Sequence, residues 1–440
     1  MFRTCRLLSK PTIPLSNILI RKYASVSASP VVVSKSQTGI TVVSVEEGAP
    51  ASSVAVVVKA GPRAESANSV GAAHFLKNFA FKETQKRTSF RTIREAELLG
   101  GVLSSNLTRE TLIYSAEFLR EDLTFFLGIL SDIIFETKYF PYEFGDVKKS
   151  VNFETNATKA LPEVVALNTA HSVAFRHGLG NSLYADESTK VTYIQDIIDY
   201  AKKVFTAPNI TIVGTSVDHK ELLGLTNELF QNISHAVPST PISSKYYGGE
   251  ERIPAKGTSH YVLAFEGAPA NTPDFLVLQV LRSLLDGEKH TQWGEGVNIL
   301  ASNFKDTKIS TFNNGYSDAG LFGIYFSGVA TSIYQAARTA VEQLKHAVKD
   351  VSEEDFSRAL AKARYNIASA YEERASKTEI FGNQILSTGK VIPASEAIAH
   401  LDQLKVQDLQ NVATKILQSK PTTVALGDIY SLPYSEALSL

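Results

Sequence analysis

The chain has 440 residues, of which 44% are hydrophobic and 20% charged, and its formal net charge is −1. This length exceeds what one ordinary core accommodates, so two or more domains are expected. The near-neutral charge gives no support to nucleic-acid binding. No run of about 18 apolar residues occurs, so the sequence predicts no transmembrane helix.

The first 23 residues are basic and contain no acid. Five Lys or Arg residues stand there among Ser, Thr and Leu, and the first acid in the chain is Glu46. This composition is typical of a mitochondrial transit peptide, and Arg21-Lys22-Tyr23 fits a matrix processing site. A secretory signal and a disordered basic tail are the alternatives. Pro11 and Pro14 disfavour the first of these because they interrupt the only apolar stretch.

Removal of residues 1–23 would change both the charge and the chemistry of the chain. Five positive charges and no acid would leave, so the net charge would fall from −1 to −6. Cys5 is the only cysteine and would leave with them. We therefore expect a mature protein with no disulfide and no cysteine-liganded zinc.

Elements of the first half of the chain recur in the same order in the second half. The pairs are strands 53–62 and 260–269, helices 70–81 and 272–285, strands 112–119 and 321–327, helices 121–135 and 332–348, polar helices that begin near Tyr142 and Glu354, and terminal strands 207–214 and 420–427. The offset is 206 residues from Gly61 to Gly267, 212 from Phe144 to Phe356 and 213 from Pro208 to Pro421. This regularity indicates a tandem duplication of a domain of roughly 200 residues.

These elements predict an α+β fold of two tandem homologous domains, each a mixed β-sheet with helices packed on one face. A Rossmann fold is disfavoured because no glycine-rich phosphate turn follows the first strand. We expect an N-terminal domain over 24–234 and a C-terminal domain over 258–440. A linker rich in Pro and Ser over 235–257 would join them.

The segment Gly71–Asn78 contains a degenerate form of the inverted zinc-peptidase signature H-x-x-E-H. A working site of this kind needs two histidines on one helix face and a Glu as general base. Here only His74 keeps its place, while Lys77 stands at the base position and Asn78 at the second ligand position. An ammonium group cannot accept a proton from water and repels Zn²⁺, and an amide oxygen is a poor zinc ligand.

Three other segments invite a functional interpretation, and in each a structural one is favoured. His171 and His177 are six residues apart, which is not a metal-binding spacing on a helix. Ser317-Asp318 has no neighbouring His, so we predict a turn in which Asp318 bonds its own backbone. Gly100-Gly101 predicts a helix-to-strand turn rather than a phosphate-binding loop.

The duplicated α+β half, the degenerate motif and the basic presequence together resemble the pitrilysin-type metallopeptidase family, over essentially the whole mature chain. The strings Phe312–Gly323, Leu99–Ser104, Thr108–Glu110 and Tyr247–Glu250 resemble its non-catalytic members more specifically than the degenerate motif does. Active members take a third zinc ligand, a Glu, from further along the chain. The same spacing counted from Asn78 reaches Glu154, and a one-residue gap would place Phe153 there instead.

The resemblance implies two bowl-like halves around a cavity, with no catalytic residue, no bound metal and no other cofactor in this chain. His74, Lys77, Asn78 and the candidate ligand Glu154 would then be remnants of a lost site. One non-catalytic branch of the family supplies core subunits of ubiquinol–cytochrome c reductase, the respiratory complex III. Members of that branch are structural proteins needed for assembly and stability.

Membership of that branch would make this chain a peripheral protein on the matrix side of the mitochondrial inner membrane. Its partners would be a homologous core protein 1, cytochrome b, cytochrome c1 and the Rieske protein, in a dimeric complex. The alternative is the noncatalytic, presequence-binding subunit of the mitochondrial processing peptidase. That subunit carries a glycine-dense loop, to which residues 286–296 compare only weakly. An independent metalloprotease is disfavoured by Lys77 and Asn78.

Overall fold

The structure is a computed structural model that describes residues 30–186, 189–236, 243–286, 300, 303–304 and 306–438. The predicted transit peptide (1–23) lies outside the described residues, and so does the glycine-containing stretch 286–296 except for Asp286. Among the described residues, no helix combines the length and the apolar character needed to cross a membrane.

Eleven strands and thirteen α-helices make up the regular structure of the described residues. The strands are Val31–Lys35 (β1), Thr41–Val45 (β2), Ala51–Val58 (β3), Val102–Leu107 (β4), Leu112–Leu119 (β5), Ile210–Thr215 (β6), Gly249–Pro254 (β7), Ser259–Gly267 (β8), Lys308–Gly315 (β9), Gly320–Gly328 (β10) and Thr422–Gly427 (β11). The helices are Ala72–Asn78 (α1), Ser89–Leu98 (α2), Leu123–Phe135 (α3), Pro141–Lys159 (α4), Pro162–Phe175 (α5), Ile194–Val204 (α6), His219–Leu229 (α7), Pro273–Leu285 (α8), Ala330–Lys349 (α9), Glu353–Glu372 (α10), Arg374–Thr388 (α11), Ala394–Asp402 (α12) and Val406–Gln418 (α13).

The two halves of the chain build two sheets of the same topology. The first sheet has the order β1-β2-β6-β3-β5-β4, and the second has the order β7-β11-β8-β10-β9. Apart from the additional β1, the orders match strand for strand. In both sheets one pairing is parallel, β2 with β6 and β7 with β11, and the other pairings are antiparallel. This correspondence confirms the predicted α+β fold of two tandem halves.

One face of each sheet packs against helices of its own half. In β3, Val54, Val56 and Val58 point into the core that the first half builds with helices such as α1, α3 and α6. In β8, Tyr261 and Leu263 point into the equivalent core of the second half. The alternation of side chains along a strand sends the intervening residues to the opposite face.

The opposite face of each sheet is covered by a helix that belongs to the other half. Helix α5, from the first half, lays Ala166, Ala170 and Ala174 on the second sheet. Helix α11, from the second half, lays Phe381 and Ile385 on the first sheet. Both sheets are therefore buried on both faces, which explains why their central strands are continuous apolar runs rather than alternating patterns. The sequence pattern did not indicate this exchange of helices.

The helix predicted over 70–81 is shorter at both ends. It begins after Gly71, whose φ of 91° lies in the left-handed region that favours glycine. A Cβ at this position would lie 2.0 Å from Thr189 Oγ1, so a side chain has no room. Phe79 follows the helix and remains in the core. The left-handed conformation of Gly71 fixes where α1 begins, and the start of the helix sets the direction of its motif side chains.

The interval 235–257, predicted as a linker, contains the strand β7. It pairs in parallel with β11 at the edge of the second sheet. Pro254 and the charged residues Glu250, Glu251 and Arg252 suit an edge strand, because they discourage a further strand from pairing. The sequence interpretation missed β7 because Gly249 and Pro254 are common in loops. The domain boundaries at 234 and 258 stay a prediction.

Two glycine-to-alanine substitutions test the contact of α11 with the first sheet. A Cβ at Gly382 would lie 2.5 Å from Val57 Cγ2, so Gly382→Ala should lower the free energy of unfolding by about 1–3 kcal/mol. A Cβ at Gly224 in α7 meets no atom within 4 Å, so Gly224→Ala should be neutral or stabilising by up to about 1 kcal/mol. Urea unfolding measures both. Equal effects of the two substitutions would contradict the close helix–sheet contact.

Candidate functional site

Helix α1 presents the motif residues to helix α4. His74 is buried, with 2% of its surface exposed. Lys77 and Asn78 follow one turn later and lie on the same helix face, because positions three and four apart are neighbours on a helix. Glu154 approaches this face from α4. The structure therefore brings together all four residues that the sequence singled out.

The three motif side chains converge on a single carboxylate oxygen. Glu154 Oε2 lies 2.7 Å from His74 Nε2, 2.9 Å from Lys77 Nζ and 3.4 Å from Asn78 Nδ2. Phe153, the alternative reached by a one-residue gap, is 75% exposed. The structure thus places Glu154, and not Phe153, beside the motif.

The hydrogen bonds of His74 determine which ring nitrogen carries the proton. The backbone N–H of Ala185 donates to Nδ1 at 3.0 Å, so Nδ1 must be unprotonated. The proton of the neutral ring therefore lies on Nε2, which donates to Glu154. Burial lowers the pKa of His74, and Glu154 opposes this effect only in part. The imidazole is neutral at pH 7 and acts as a hydrogen-bond donor.

Glu154 is ionised, and Lys77 supplies the compensating positive charge. Partial burial disfavours the charged carboxylate, but the hydrogen bonds from His74, Lys77 and Asn78 outweigh it and lower the pKa of Glu154. The side chain of Lys77 is 22% exposed and that of Glu154 is 32% exposed, so this ion pair is screened only in part.

The residues present do not fit a zinc ion. A zinc ion here would have to displace the hydrogen bond by which Nε2 of His74 donates to Glu154. Asn78 stands where a second imidazole is needed, and its amide nitrogen also donates to the carbonyl oxygen of His74 at 3.2 Å. The Lys77 ammonium pairs with the carboxylate that would otherwise face a cation. Within the described ranges, no group of three or more His, Cys, Asp or Glu residues is arranged to hold a metal.

The structure does not bring His171 and His177 together as a site. His171 is buried, where its Nε2 accepts a hydrogen bond from the hydroxyl of Tyr316 at 2.7 Å and its Nδ1 donates to the carbonyl of Leu167. Burial holds the pKa of His171 well below its usual range, so the ring is neutral. His177 is exposed. Neither residue has a metal-binding partner in the described part of the chain.

The prediction that Asp318 bonds its own backbone is wrong. Its carboxylate instead accepts from Arg63 Nη2 at 2.6 Å and from the backbone N–H of Ser244 at 2.8 Å. Ser317 donates to Glu110 from its backbone and from its hydroxyl, and Arg63 also bonds Glu110. The Ser317-Asp318 turn therefore joins the two halves of the chain. Its partners Arg63 and Glu110 lie more than 200 residues away, where local turn chemistry gives no indication of them.

Glu65 stabilises the start of α1, a role that the sequence pattern did not indicate. Its carboxylate accepts hydrogen bonds from the backbone N–H groups of Gly71 and Ala73, at 2.9 and 2.8 Å, and so holds the start of α1. Burial raises its pKa to about 7. An acid six residues before the N-cap residue Gly71 is outside the usual capping patterns, so the sequence carried no sign of this role.

Comparison with known proteins places the chain in a family. Residues 41–187 match the insulinase (peptidase family M16) model, and residues 193–363 match the model described as the peptidase M16 inactive domain. The chain belongs to the M16 peptidase family. Both of its halves are recognised, in agreement with the repeated sheet topology.

Among its M16 relatives, mitochondrial cytochrome b-c1 complex subunit 2 of Neurospora crassa is 35% identical over 96% of this chain and 94% of the relative. The protein of the same name from Cryptococcus neoformans var. grubii is 34% identical over 97% and 96% of the two chains. The mitochondrial-processing peptidase subunit alpha of Solanum tuberosum is 28% identical, over 91% of this chain and 82% of the relative.

Restoration of the two lost motif positions should create a zinc site. In Lys77→Glu/Asn78→His, a second imidazole joins His74 and Glu154, and the competing ammonium is gone. We expect about one Zn²⁺ per chain by elemental analysis of dialysed protein. The single variant Asn78→His keeps Lys77 and serves as the control, with no stoichiometric zinc expected. Stoichiometric zinc in the unsubstituted protein would contradict the conclusion that the site has lost its metal.

Glu65 should make stability fall as the pH rises towards neutrality. Its pKa is about 7 when folded, above the unfolded value near 4.5, so ionisation favours the unfolded chain. Glu65→Gln removes this titration. Between about pH 5 and pH 8, the wild-type protein should lose roughly 1–3 kcal/mol of unfolding free energy relative to the variant. Urea unfolding across this range measures the difference. Parallel stability curves for the two proteins would be inconsistent with a raised pKa.

Proposed function

We propose that this chain is a non-catalytic structural core subunit of the mitochondrial cytochrome b-c1 complex, which is the ubiquinol–cytochrome c reductase of the respiratory chain. The two relatives from Neurospora crassa and Cryptococcus neoformans carry the name of subunit 2 of that complex. They align along nearly the whole length of this chain. The relative named as a processing-peptidase subunit is less similar and aligns over a smaller share of its own length.

The ion pair between Lys77 and Glu154 carries the conclusion that the chain is not a peptidase. An M16 peptidase of the inverted type needs a general base and a metal at this place. Here an ammonium group lies 2.9 Å from the one retained carboxylate. The site is internally neutralised and presents neither a base nor an open metal position.

The surface of the first half supports a role as a subunit. Three large apolar side chains on α2 and β4 are well exposed: Phe90 by 70%, Leu98 by 85% and Val102 by 64%. Exposed apolar groups on neighbouring elements are typical of a surface that another protein covers. In the proposed assembly the chain pairs with a homologous core protein 1 and contacts cytochrome b, cytochrome c1 and the Rieske protein. It lies peripherally on the matrix side of the inner membrane, in a dimeric complex.

Isolation of the native assembly tests this proposal. The tagged protein is purified from mitochondria in mild detergent, run on a native gel, and measured for its haem spectrum and ubiquinol–cytochrome c reductase activity. We expect a large band that contains b- and c-type haem and has this activity. Recovery of the chain only as a free monomer would contradict the proposal.

The same experiment separates the alternative function. A small, colourless heterodimer that cleaves presequences would identify the noncatalytic subunit of the mitochondrial processing peptidase. Lys77→Met provides an internal check in either case, because it removes the ammonium group without restoring a base. Reductase activity per assembled complex should not change in this variant, since the motif takes no part in electron transfer.

A further inference from the structure

A cleft of about 1480 Å³ is lined by residues other than His74, Lys77, Asn78 and Glu154 of the degenerate motif. Its walls come from the first half of the chain and from residues 243–251, which lead into β7. Its lining includes six basic side chains: Lys59, Arg63, Arg176, Lys190, Lys203 and Lys245. The acidic side chains on the same walls are Glu65, Asp186 and Glu251. The cleft is therefore positively charged.

Among the described residues, direct ion pairs engage only one of these six basic side chains. Arg63 is paired with Glu110 and Asp318. The other five basic side chains form no ion pair with any residue that the structure describes. Like charges that share a concave wall raise the local potential, because low-dielectric surroundings focus the field. An anion in the cleft would relieve this repulsion.

Arg176 and Lys245 are held over the same aromatic ring. The guanidinium carbon of Arg176 lies 4.2 Å from the ring centre of Tyr247, and Lys245 Nζ lies 5.5 Å from it. The backbone N–H of Tyr247 donates to the carbonyl of Ala174 at 2.8 Å, which fastens this segment to the end of α5. Both cations therefore contact the ring of a residue whose backbone is anchored to α5.

The backbone at Arg176 is strained. Its φ is 60° and its ψ is −59°, and the N–H of His177 donates to the carbonyl of Phe175 at 2.7 Å across it. This is a γ-turn of the rare, strained form, at a residue that is not glycine. Strain of this kind persists where the surrounding structure maintains it, often at binding sites. Here it places a guanidinium group at the wall of the cleft.

We propose that this cleft binds a compact anion that carries more than one phosphate charge, through Arg176 and Lys245 on Tyr247 and the lysines around them. A phosphate group carries close to two negative charges at pH 7 and three acceptor oxygens, and guanidinium groups bind it in a bidentate manner. Several basic side chains around one cleft suit a group with more than one negative charge better than a single carboxylate. The phosphate belongs to a free diphosphate-type metabolite or to the head group of an anionic phospholipid.

Binding to the full-length purified protein tests the proposal and separates the two sources. Inorganic pyrophosphate is titrated calorimetrically, and flotation is measured with phosphatidylcholine vesicles that contain phosphatidic acid, against vesicles of phosphatidylcholine alone. Arg176→Gln/Lys245→Gln should weaken binding by roughly tenfold or more for each lost charged contact. The control Lys148→Gln/Lys349→Gln removes the same charge from exposed positions outside the cleft and should bind as the unsubstituted protein does.

The binding of pyrophosphate and of acidic vesicles by the two double variants decides between a free ligand, a lipid head group and no anion site. Pyrophosphate binding that the cleft variant loses and the control keeps supports a free ligand, and the same pattern with acidic vesicles alone supports a lipid head group. The proposal is overturned by the absence of both kinds of binding, by equal binding of the two double variants, or by tighter binding of a polyglutamate peptide than of pyrophosphate. Lys245→Gln alone guards against misfolding, since this exposed side chain makes no described hydrogen bond.

Discussion

Each sheet of this protein depends on a helix supplied by the other half of the chain. A sheet with two apolar faces cannot leave one of them in water, and α5 and α11 cover the faces that each half leaves open. Burial of a side chain such as Phe381 or Ile385 contributes about 1.5–3 kcal/mol. Each half therefore has its own core on one face of its sheet and depends on the other half to cover the opposite face.

A polar network at the junction complements this apolar exchange. The side chain of Arg63 is only 5% exposed and bonds Glu110 from its own half and Asp318 from the other. A buried guanidinium group is tolerated only when carboxylates compensate its charge, so this contact favours one relative placement of the halves. Tyr316 and His171 add a neutral hydrogen bond nearby. The string around Tyr316, which resembled non-catalytic members of the family, thus lies at the junction.

The side chains of the degenerate motif satisfy one another electrostatically. Helix α1 directs His74 at Glu154, and the two side chains are hydrogen-bonded at 2.7 Å. Lys77 now provides the positive charge that the carboxylate requires. The carboxylate of Glu154 has its charge and hydrogen-bond requirements met without any external cation. A neutral imidazole, an amide and an ammonium group all donate to its Oε2. A folded enzyme scaffold can in this way lose its chemistry and keep its shape, which is what a structural subunit needs.

The sequence by itself determined the features that local pattern and spacing encode. The duplication, the α+β class, the loss of the base at Lys77 and the count that reaches Glu154 were all visible there, because periodicity and residue identity are properties of short segments. Only the tertiary structure decided the exchange of α5 and α11, the strand β7, the capping role of Glu65 and the partner of Asp318. These features depend on contacts between distant positions, such as Arg63 and Asp318, which are 255 residues apart. No local sequence pattern predicts which distant residue a side chain will contact, because the packing of the whole chain determines that contact.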